Sequence, residues 1–226
     1  MHLTEFAPEI WTAEHPLTVA PFMNLGARMT VIRLSSGGLL LHSPVEWTEE
    51  LDHAVSVHGP VRFIVAPNML HHLFVGSWME RYPDALAFAA PGLSAKKPAL
   101  RFHKTLHSAA TPSWGDEISH ESLQGAPKLN EVVLFHHPTK TLLITDLLFF
   151  LPEAEGVMAF YGWLNKCRHQ PAPTAVLRMM VKDTPAFSES IRRILSWQPH
   201  RLILSHGSCI DHDAGPAIAA GLTRWT

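Results

Sequence analysis

A chain of 226 residues, of which 46% are hydrophobic and 17% charged, is long enough to bury one large core. We therefore expect a single domain over residues 1–226. The net charge of −2 gives no sign of a nucleic-acid partner. No apolar run approaches the ~18 residues of a membrane span, so no membrane partner is expected.

The cysteine content and the first residues bear on the compartment. Only Cys167 and Cys209 are present, so no disulfide framework is predicted and a reducing cytoplasm is expected. The N-terminus lacks the basic and then apolar pattern of a signal peptide. Sixteen histidines are present against eighteen lysines and arginines, so most histidines must be structural or surface residues. A histidine therefore needs a positional argument before it counts as a ligand.

The first ninety or so residues alternate between predicted strands and predicted helices. Apolar and polar side chains alternate over residues 29–34, and a Ser-Ser-Gly-Gly turn then leads into a second strand. Thr48 is typical of a helix N-cap. The predicted strands cover residues 10–13, 29–34, 39–42, 61–65 and 84–89, and the predicted helices run from 48 to about 58 and from about 73 to 81.

The second half begins with an irregular connector over residues 92–116. Trp78 and Trp163 are expected in the core, because large aromatic side chains dominate burial. Strands that alternate with helices, after an initial hairpin, predict a layered α/β fold in which helices cover two packed sheets. The remaining predicted strands cover residues 118–123, 131–136, 141–146 and 201–207, and helices are predicted over 156–168, from 184 to Pro199, and from about 213.

Three predicted strands end in polar residues that are suited to metal binding. His71 and His72 follow the strand at 61–65, where Pro67 removes a ladder donor and ends the strand. Asp146 ends the strand at 141–146, and His206 lies at the end of the last strand. We expect these four side chains to meet at one edge of the core and to hold one divalent transition metal, with zinc favoured over iron.

Each of these positions also has an ordinary structural explanation. A histidine pair at a helix start is often a cap or a surface feature, Asp146 can cap the next segment, and His206 can lie in a plain strand exit. Residues expected to line the pocket have similar alternatives. His42 can be a surface histidine at a strand end, Asn68 a turn residue, and Glu131 a solvent-facing residue.

Several stretches together resemble a known superfamily. The order and spacing of these stretches are similar to the metallo-β-lactamase-fold superfamily, and more closely to a subgroup of uncharacterised proteins, DUF4336. The similarity covers roughly residues 5 to 220. The stretches are Arg-Met-Thr-Val at 28–31, Leu-His-Ser-Pro at 41–44, Ala-Pro-Asn at 66–68 with the histidine pair, Leu-Asn-Glu-Val-Val at 129–133, Leu-Leu-Ile-Thr-Asp-Leu at 142–147 and Ser-His-Gly at 205–207.

The resemblance implies an αββα sandwich of two mixed β-sheets with a metal site along one edge. The superfamily signature is H-x-H-x-D-H after a strand, and this chain has Pro67 and Met69 at the two leading histidine positions. The second metal site keeps its pattern, with His71 in place of aspartate and with His72, Asp146 and His206. The resemblance thus implies one metal ion rather than two.

Two functions of different classes follow from this reading. The first is a mononuclear metal-dependent hydrolase of an ester, thioester, lactone or phosphoester, in which the metal activates water; no catalytic side chain is identified. The alternative is a non-catalytic member of the superfamily with a structural or vestigial metal site. Redox chemistry at iron is a third option that only the ligand types support. The partner would be a small-molecule substrate, and the sequence identifies neither that substrate nor the oligomeric state.

Overall fold

The strands of this protein form two main sheets and one small hairpin. A computed structural model describes residues 2–107 and 112–226. The strands are β1 (Leu3–Ala7), β2 (Ile10–His15), β3 (Thr18–Ala20), β4 (Met23–Asn24), β5 (Ala27–Arg33), β6 (Leu39–His42), β7 (Val61–Ala66), β8 (Leu86–Ala89), β9 (Lys104–Thr105), β10 (Ile118–Ser122), β11 (Val132–His136), β12 (Thr141–Ile144) and β13 (Arg201–Leu204).

The helices begin where the sequence supplies capping groups. In the first of them the Thr48 hydroxyl accepts the Leu51 N–H at 3.1 Å. Within residues 2–107 and 112–226, no helix has the length and apolar content needed to cross a bilayer. The helices are α1 (Glu49–Ser56), α2 (Val75–Arg81), α3 (Leu93–Lys96), α4 (Gly156–Leu164), α5 (Ala175–Met180), α6 (Thr184–Ser196) and α7 (Ala214–Leu222), followed by a 3₁₀ turn at Thr223–Trp225.

The two main sheets are mixed. The larger sheet has the strand order β1-β2-β5-β6-β7-β8-β9, and the smaller sheet has the order β10-β11-β12-β13. Strands β6, β7 and β8 run parallel to one another, as do β12 and β13. The small hairpin pairs β3 with β4 and lies between β2 and β5 in the chain. Parallel neighbours place the C-terminal ends of consecutive strands at the same edge, where polar residues can gather.

The buried side chains divide the molecule into four layers. One cluster lies between the sheets, where Leu40 and Val65 of the larger sheet meet Leu143 of the smaller one. A second cluster packs α1 and α2 on the outer face of the larger sheet, and a third packs α6 and α7 on the smaller sheet. Helix, sheet, sheet and helix follow one another, which confirms the layered α/β fold that the sequence patterns predicted and the αββα sandwich of two mixed sheets that the resemblance implied.

Some elements were missed because they are short or poorly patterned. These are β1, the β3–β4 hairpin, α5, and α3 and β9 within the stretch predicted as a connector. The remainder of that connector includes residues 108–111, which lie outside the described residues. Trp78 is fully buried as predicted, but Trp163 is 67% exposed, so its assignment to the core was wrong. Helical spacing identified the helix, but not which of its faces meets the core.

Removing the cap of α1 should have a measurable effect. We expect Thr48→Ala to lower the free energy of unfolding by about 1 kcal/mol, because the Leu51 N–H loses its acceptor. Urea denaturation followed by circular dichroism measures this change. Ser56→Ala, an exposed hydroxyl in the last turn of the same helix, is the control and should change it by less than about 0.5 kcal/mol. Equal losses in the two variants would contradict the capping role.

Candidate metal site

Three side chains from distant parts of the chain converge at one edge of the sandwich. The Nε2 atoms of His71 and His206 lie 3.2 Å apart, and the Asp146 carboxylate oxygens lie 3.3 Å from His71 Nε2 and 3.5 Å from His206 Nε2. One ligand atom from each residue fits within 4.8 Å of the others, as a shared metal ion requires. Burial of the cluster is substantial, since the His206 side chain is 3% exposed and the Asp146 side chain 15%.

Strand register brings Asp146 and His206 together. In the parallel pair of β12 and β13, Ile144 lies opposite Leu204. Asp146 and His206 are each two residues beyond that pair, so both leave the sheet at the same edge. His71 arrives from the other sheet, in the turn that follows β7. The site therefore lies where the C-terminal ends of strands from both sheets meet.

Both histidines are oriented by the ring nitrogen that faces away from the cluster. His206 Nδ1 donates to the carbonyl oxygen of Gly26 at 2.8 Å, so in the neutral ring the Nε2 lone pair points at Asp146. His71 Nδ1 hydrogen-bonds the Ser43 hydroxyl at 2.8 Å, which likewise leaves Nε2 directed into the cluster. Metal-ligating histidines are commonly held in this way by their second nitrogen.

Asn68 holds the Asp146 carboxylate and the turn that carries His71. Its Nδ2 donates to Asp146 Oδ2 at 2.6 Å and to the Thr145 hydroxyl at 2.8 Å. Its Oδ1 accepts the backbone N–H groups of Leu70 at 2.7 Å and His71 at 2.8 Å. Asn68 is thus both a turn residue and a residue of the site, the two roles that the sequence left open.

Glu131 is buried beneath the site. It is 0% exposed, and its carboxylate accepts the backbone N–H groups of Thr145 at 2.6 Å and Asp146 at 2.9 Å. It therefore does not face solvent, which was the alternative explanation. Burial and the neighbouring Asp146 raise the pKa of Glu131 to about 8. Burial alone would also raise the pKa of Asp146, but His71 and His206 hold that pKa well below its ordinary value.

The segment that carries His206 is fixed by a buried arginine and a glycine. The Arg28 guanidinium donates to the carbonyl oxygens of Leu204 and Gly207, the latter at 2.7 Å. Gly207 has φ +99°, and a Cβ there would lie 1.8 Å from the carbonyl oxygen of Phe150, so only glycine fits. The Phe149 ring lies 4.6 Å from the His206 ring. The contacts of Arg28 with the end of β13 and the Phe149 ring together hold the His206 imidazole in place.

Two histidines of the predicted site lie beside the cluster rather than in it. His72 is 8% exposed and lines the same cavity, but it is not part of the group formed by His71, Asp146 and His206. Burial, Lys96 and Lys97 lower its pKa. His42 is 2% exposed, so it is not a surface histidine, and its Nε2 has no hydrogen-bond partner among the described residues. Burial and His71 lower the pKa of His42 to about 3.

The cluster opens into a cavity of about 400 Å³. One wall is the β3–β4 hairpin with its flanking residues, including Leu17, Val19 and Leu25, and another is the turn that carries Leu73 and Phe74. These walls are apolar, whereas the floor consists of the histidines and Asp146. The hairpin was missed in the sequence because its three- and two-residue strands are too short to show alternation.

Some residues of the site left little trace in the sequence. Ser43 and the Gly26 carbonyl orient the two histidines, and Thr145 receives the Asn68 amide. A backbone carbonyl gives no residue-type signal at all. Ser43 stood in a stretch whose resemblance was noted, and its φ of +54° is unusual for a residue other than glycine. That backbone conformation is visible only in the structure, so the sequence contains no signal that marks Ser43 as the partner of His71.

The donor set fits a transition metal. Two imidazole nitrogens and a carboxylate converge at a depth where an uncompensated set of polar groups would be costly. Imidazole and carboxylate bind zinc and iron alike. Within residues 2–107 and 112–226 this is one group of three, and the positions of Pro67 and Met69 supply no second group. Instead, the Pro67 carbonyl and the Met69 N–H bond to the backbone of Val132 and Leu129.

Comparison with solved structures identifies the class of fold. A metallo-β-lactamase from Pontibacter korlensis matches with a TM-score of 0.68 at 15% identity, covering 99% of this chain and 98% of that one. DIM-1 metallo-β-lactamase exposed to ceftazidime gives 0.69 at 15%, covering 100% and 97%. FIM-1 from Pseudomonas aeruginosa in its mono-zinc form gives 0.66 at 10%, covering 99% and 95%. The protein therefore has the metallo-β-lactamase fold.

Comparison of sequences identifies the family. The chain belongs to the family described as Domain of unknown function (DUF4336), which matches residues 7–206. This confirms the resemblance noted in the sequence. No curated protein matches the chain.

Proposed function

We propose that this protein is a mononuclear metal-dependent hydrolase whose ion is held by His71, Asp146 and His206. The observation that carries the proposal is the pair of hydrogen bonds to Gly26 and Ser43, which turn both Nε2 atoms toward the carboxylate. The fold supports a metal-dependent hydrolytic activity, since the structural neighbours are metallo-β-lactamases.

The number of ligands favours a catalytic site over a structural one. Structural zinc sites are usually closed by four protein ligands, whereas catalytic sites keep a position open beside three. Three residues form the cluster here, and His72 lies beside it. We propose zinc in preference to iron. When bound, such an ion polarises the scissile carbonyl or phosphoryl oxygen and makes water nucleophilic near neutral pH.

The remaining residues of the site position the ligands and receive the substrate. Asn68 and Glu131 fix the Asp146 carboxylate and its backbone, so the ligand oxygens need not reorganise during the reaction. The apolar walls formed by Leu17, Leu73 and Phe74 suit a substrate with an apolar acyl or alkyl part. We propose small esters, thioesters, lactones or phosphoesters as the substrate class.

We also propose a cytoplasmic location for the protein. Both cysteines are free, as is usual in a reducing compartment, and this supports the proposal.

Elemental analysis of the purified protein, paired with a hydrolase screen, tests this function. We expect about one equivalent of zinc or iron per chain, and turnover of at least one ester, thioester, lactone or phosphoester substrate. Chelation should remove the turnover and added metal should restore it. Protein without metal, and without thermal stabilisation by added zinc or iron, would contradict the proposal. Bound metal with no turnover across the screen would favour the non-catalytic alternative.

Ser43 should affect metal affinity through its bond to His71. We expect Ser43→Ala to weaken metal binding about 10- to 100-fold, the usual effect of losing the partner of a metal-ligating histidine. Competition with a chromophoric chelator measures the affinity. Ser119→Ala is the matched control, because Ser119 makes the same type of contact with His137, at 2.7 Å, in an exposed hydrogen bond outside the cluster. Unchanged affinity in Ser43→Ala would show that Ser43 does not orient His71.

A further inference from the structure

The outer face of α4 carries large apolar side chains in solvent. Phe160 is 62% exposed, Trp163 is 67% exposed and Leu164 is 57% exposed. The rings of Phe160 and Trp163 stack with their centroids 5.9 Å apart. The helix is anchored by its other face, where the Tyr161 ring lies 6.3 Å from Phe149. Large apolar side chains that are exposed together on one face of a helix mark an interaction surface.

Cations lie directly beside this apolar face. A concavity of about 530 Å³ next to the helix is lined by Trp163 together with Lys166, Arg168 and His169. None of the described residues that line it is acidic. The whole segment 156–182 contains four lysines and arginines and no aspartate or glutamate, although the chain as a whole has a net charge of −2. The surface is therefore apolar and locally basic.

The positive charge of this surface favours some kinds of partner over others. A second copy of the chain would bring its own Lys166 and Arg168 to the interface, since a two-fold interface uses the same patch of both copies, and segment 156–182 supplies no carboxylate to pair with these cations. Glu153 and Glu155 precede the helix and line a different cavity. An anionic lipid surface meets both requirements, because it offers negative headgroups above an apolar interior.

We propose that the outer face of α4 docks on anionic phospholipid membranes. Phe160 and Trp163 enter the headgroup region as the apolar face of an interfacial helix, and the exposed Lys166 contacts the phosphates. Arg168, which donates to the Pro152 carbonyl at 3.3 Å, adds positive charge beside Lys166. The helix has nine residues and lies in the plane of the surface rather than across it. This proposal departs from the expectation, drawn from the sequence, that there is no membrane partner. That expectation rested on the lack of an apolar run long enough to span a bilayer, and a helix that lies in the interface needs no such run. This docking does not require the metal site.

Co-sedimentation of the full chain with vesicles tests the docking. We expect binding to phosphatidylcholine vesicles that contain phosphatidylglycerol and little binding to phosphatidylcholine alone, with the bound fraction falling as salt is raised. Asp146→Ala should bind these vesicles as the wild type does. Vesicle binding is therefore expected even if the metal-site proposal fails. Likewise, a lack of vesicle binding would not contradict the metal-site proposal.

Substitutions on the outer face and matched controls locate the surface. The double variant F160S/W163S should bind about tenfold more weakly or worse, because it loses both aromatic rings. Lys166→Gln should lose about fivefold, the usual contribution of one cation near an anionic surface. The controls are Val57→Ser, a 66% exposed apolar residue after α1, and Lys104→Gln on β9. Both should bind like the wild type.

Several outcomes would overturn the proposal. These are no binding to the anionic vesicles, equal binding to both vesicle types, or unchanged binding of the double variant. Binding of inorganic phosphate without vesicle binding would indicate an ion site instead. Light scattering that shows a wild-type dimer which F160S/W163S converts to monomer would assign the face to a second copy of the chain. Circular dichroism of each variant confirms that a loss of binding does not come from unfolding.

Discussion

Asp146→Ala is expected to weaken metal binding by more than about 100-fold and to abolish metal-dependent turnover. Losing the outer partner of a ligand costs about 10- to 100-fold in affinity, and loss of the ligand itself should exceed that. Asp146 is the one anion that faces both His71 Nε2, at 3.3 Å, and His206 Nε2, at 3.5 Å, in this three-residue cluster. Without it, two imidazoles alone face the ion. Isothermal titration with zinc measures the affinity.

Asp146→Asn and a surface control sharpen this test. Asparagine keeps the shape of the side chain but loses the charge, so it separates ligand charge from packing around Asn68. Asp211→Ala is the matched control, because Asp211 also contacts a histidine, His212, but at the exposed surface. We expect the control to retain metal and turnover. Wild-type zinc affinity in Asp146→Ala would remove Asp146 from the site.

Glu131→Ala is expected to give the largest loss of stability at this edge of the fold. The substitution leaves the backbone N–H groups of Thr145 and Asp146 buried without an acceptor. Each unsatisfied buried group costs about 1–3 kcal/mol, so we expect the free energy of unfolding to fall by about 4 kcal/mol. Denaturant titration measures this change, and a chelator in all samples removes any contribution from bound metal.

Two further variants distinguish this mechanism from a general effect of losing a carboxylate. Glu131→Gln keeps one acceptor oxygen and should lose less stability than Glu131→Ala, although its amide then faces a backbone N–H. Glu189→Ala removes an exposed carboxylate that pairs with Arg192 at 2.6 Å, and it should cost less than about 1 kcal/mol. If Glu131→Ala lowered the free energy of unfolding no more than Glu189→Ala does, the hydrogen bonds from Thr145 and Asp146 to Glu131 would not be needed to stabilise the segment after β12.

Sequence periodicity predicted the layers of this fold well. Runs such as those of β7, β12 and β13 are apolar because both of their faces are buried in the sandwich, and this property appears directly in the chain. The exposed β3–β4 hairpin and helix α5 buried too few residues to show a period. The spacing in α4 predicted a helix. Trp163 was assigned to the core because large aromatic side chains are usually buried, whereas the side chain is exposed.

The sequence by itself determined the buried strands of the two main sheets and the polar residues that follow β7, β12 and β13, because both depend on local patterns of burial. It predicted both His71 and His72 as ligands, whereas only His71 belongs to the cluster with Asp146 and His206. Only tertiary packing brought His71 to His206, 135 residues away, and supplied the Gly26 carbonyl, Ser43 and Glu131 that fix the cluster. Such contacts depend on how the two sheets pack, and no local spacing along the chain records that arrangement.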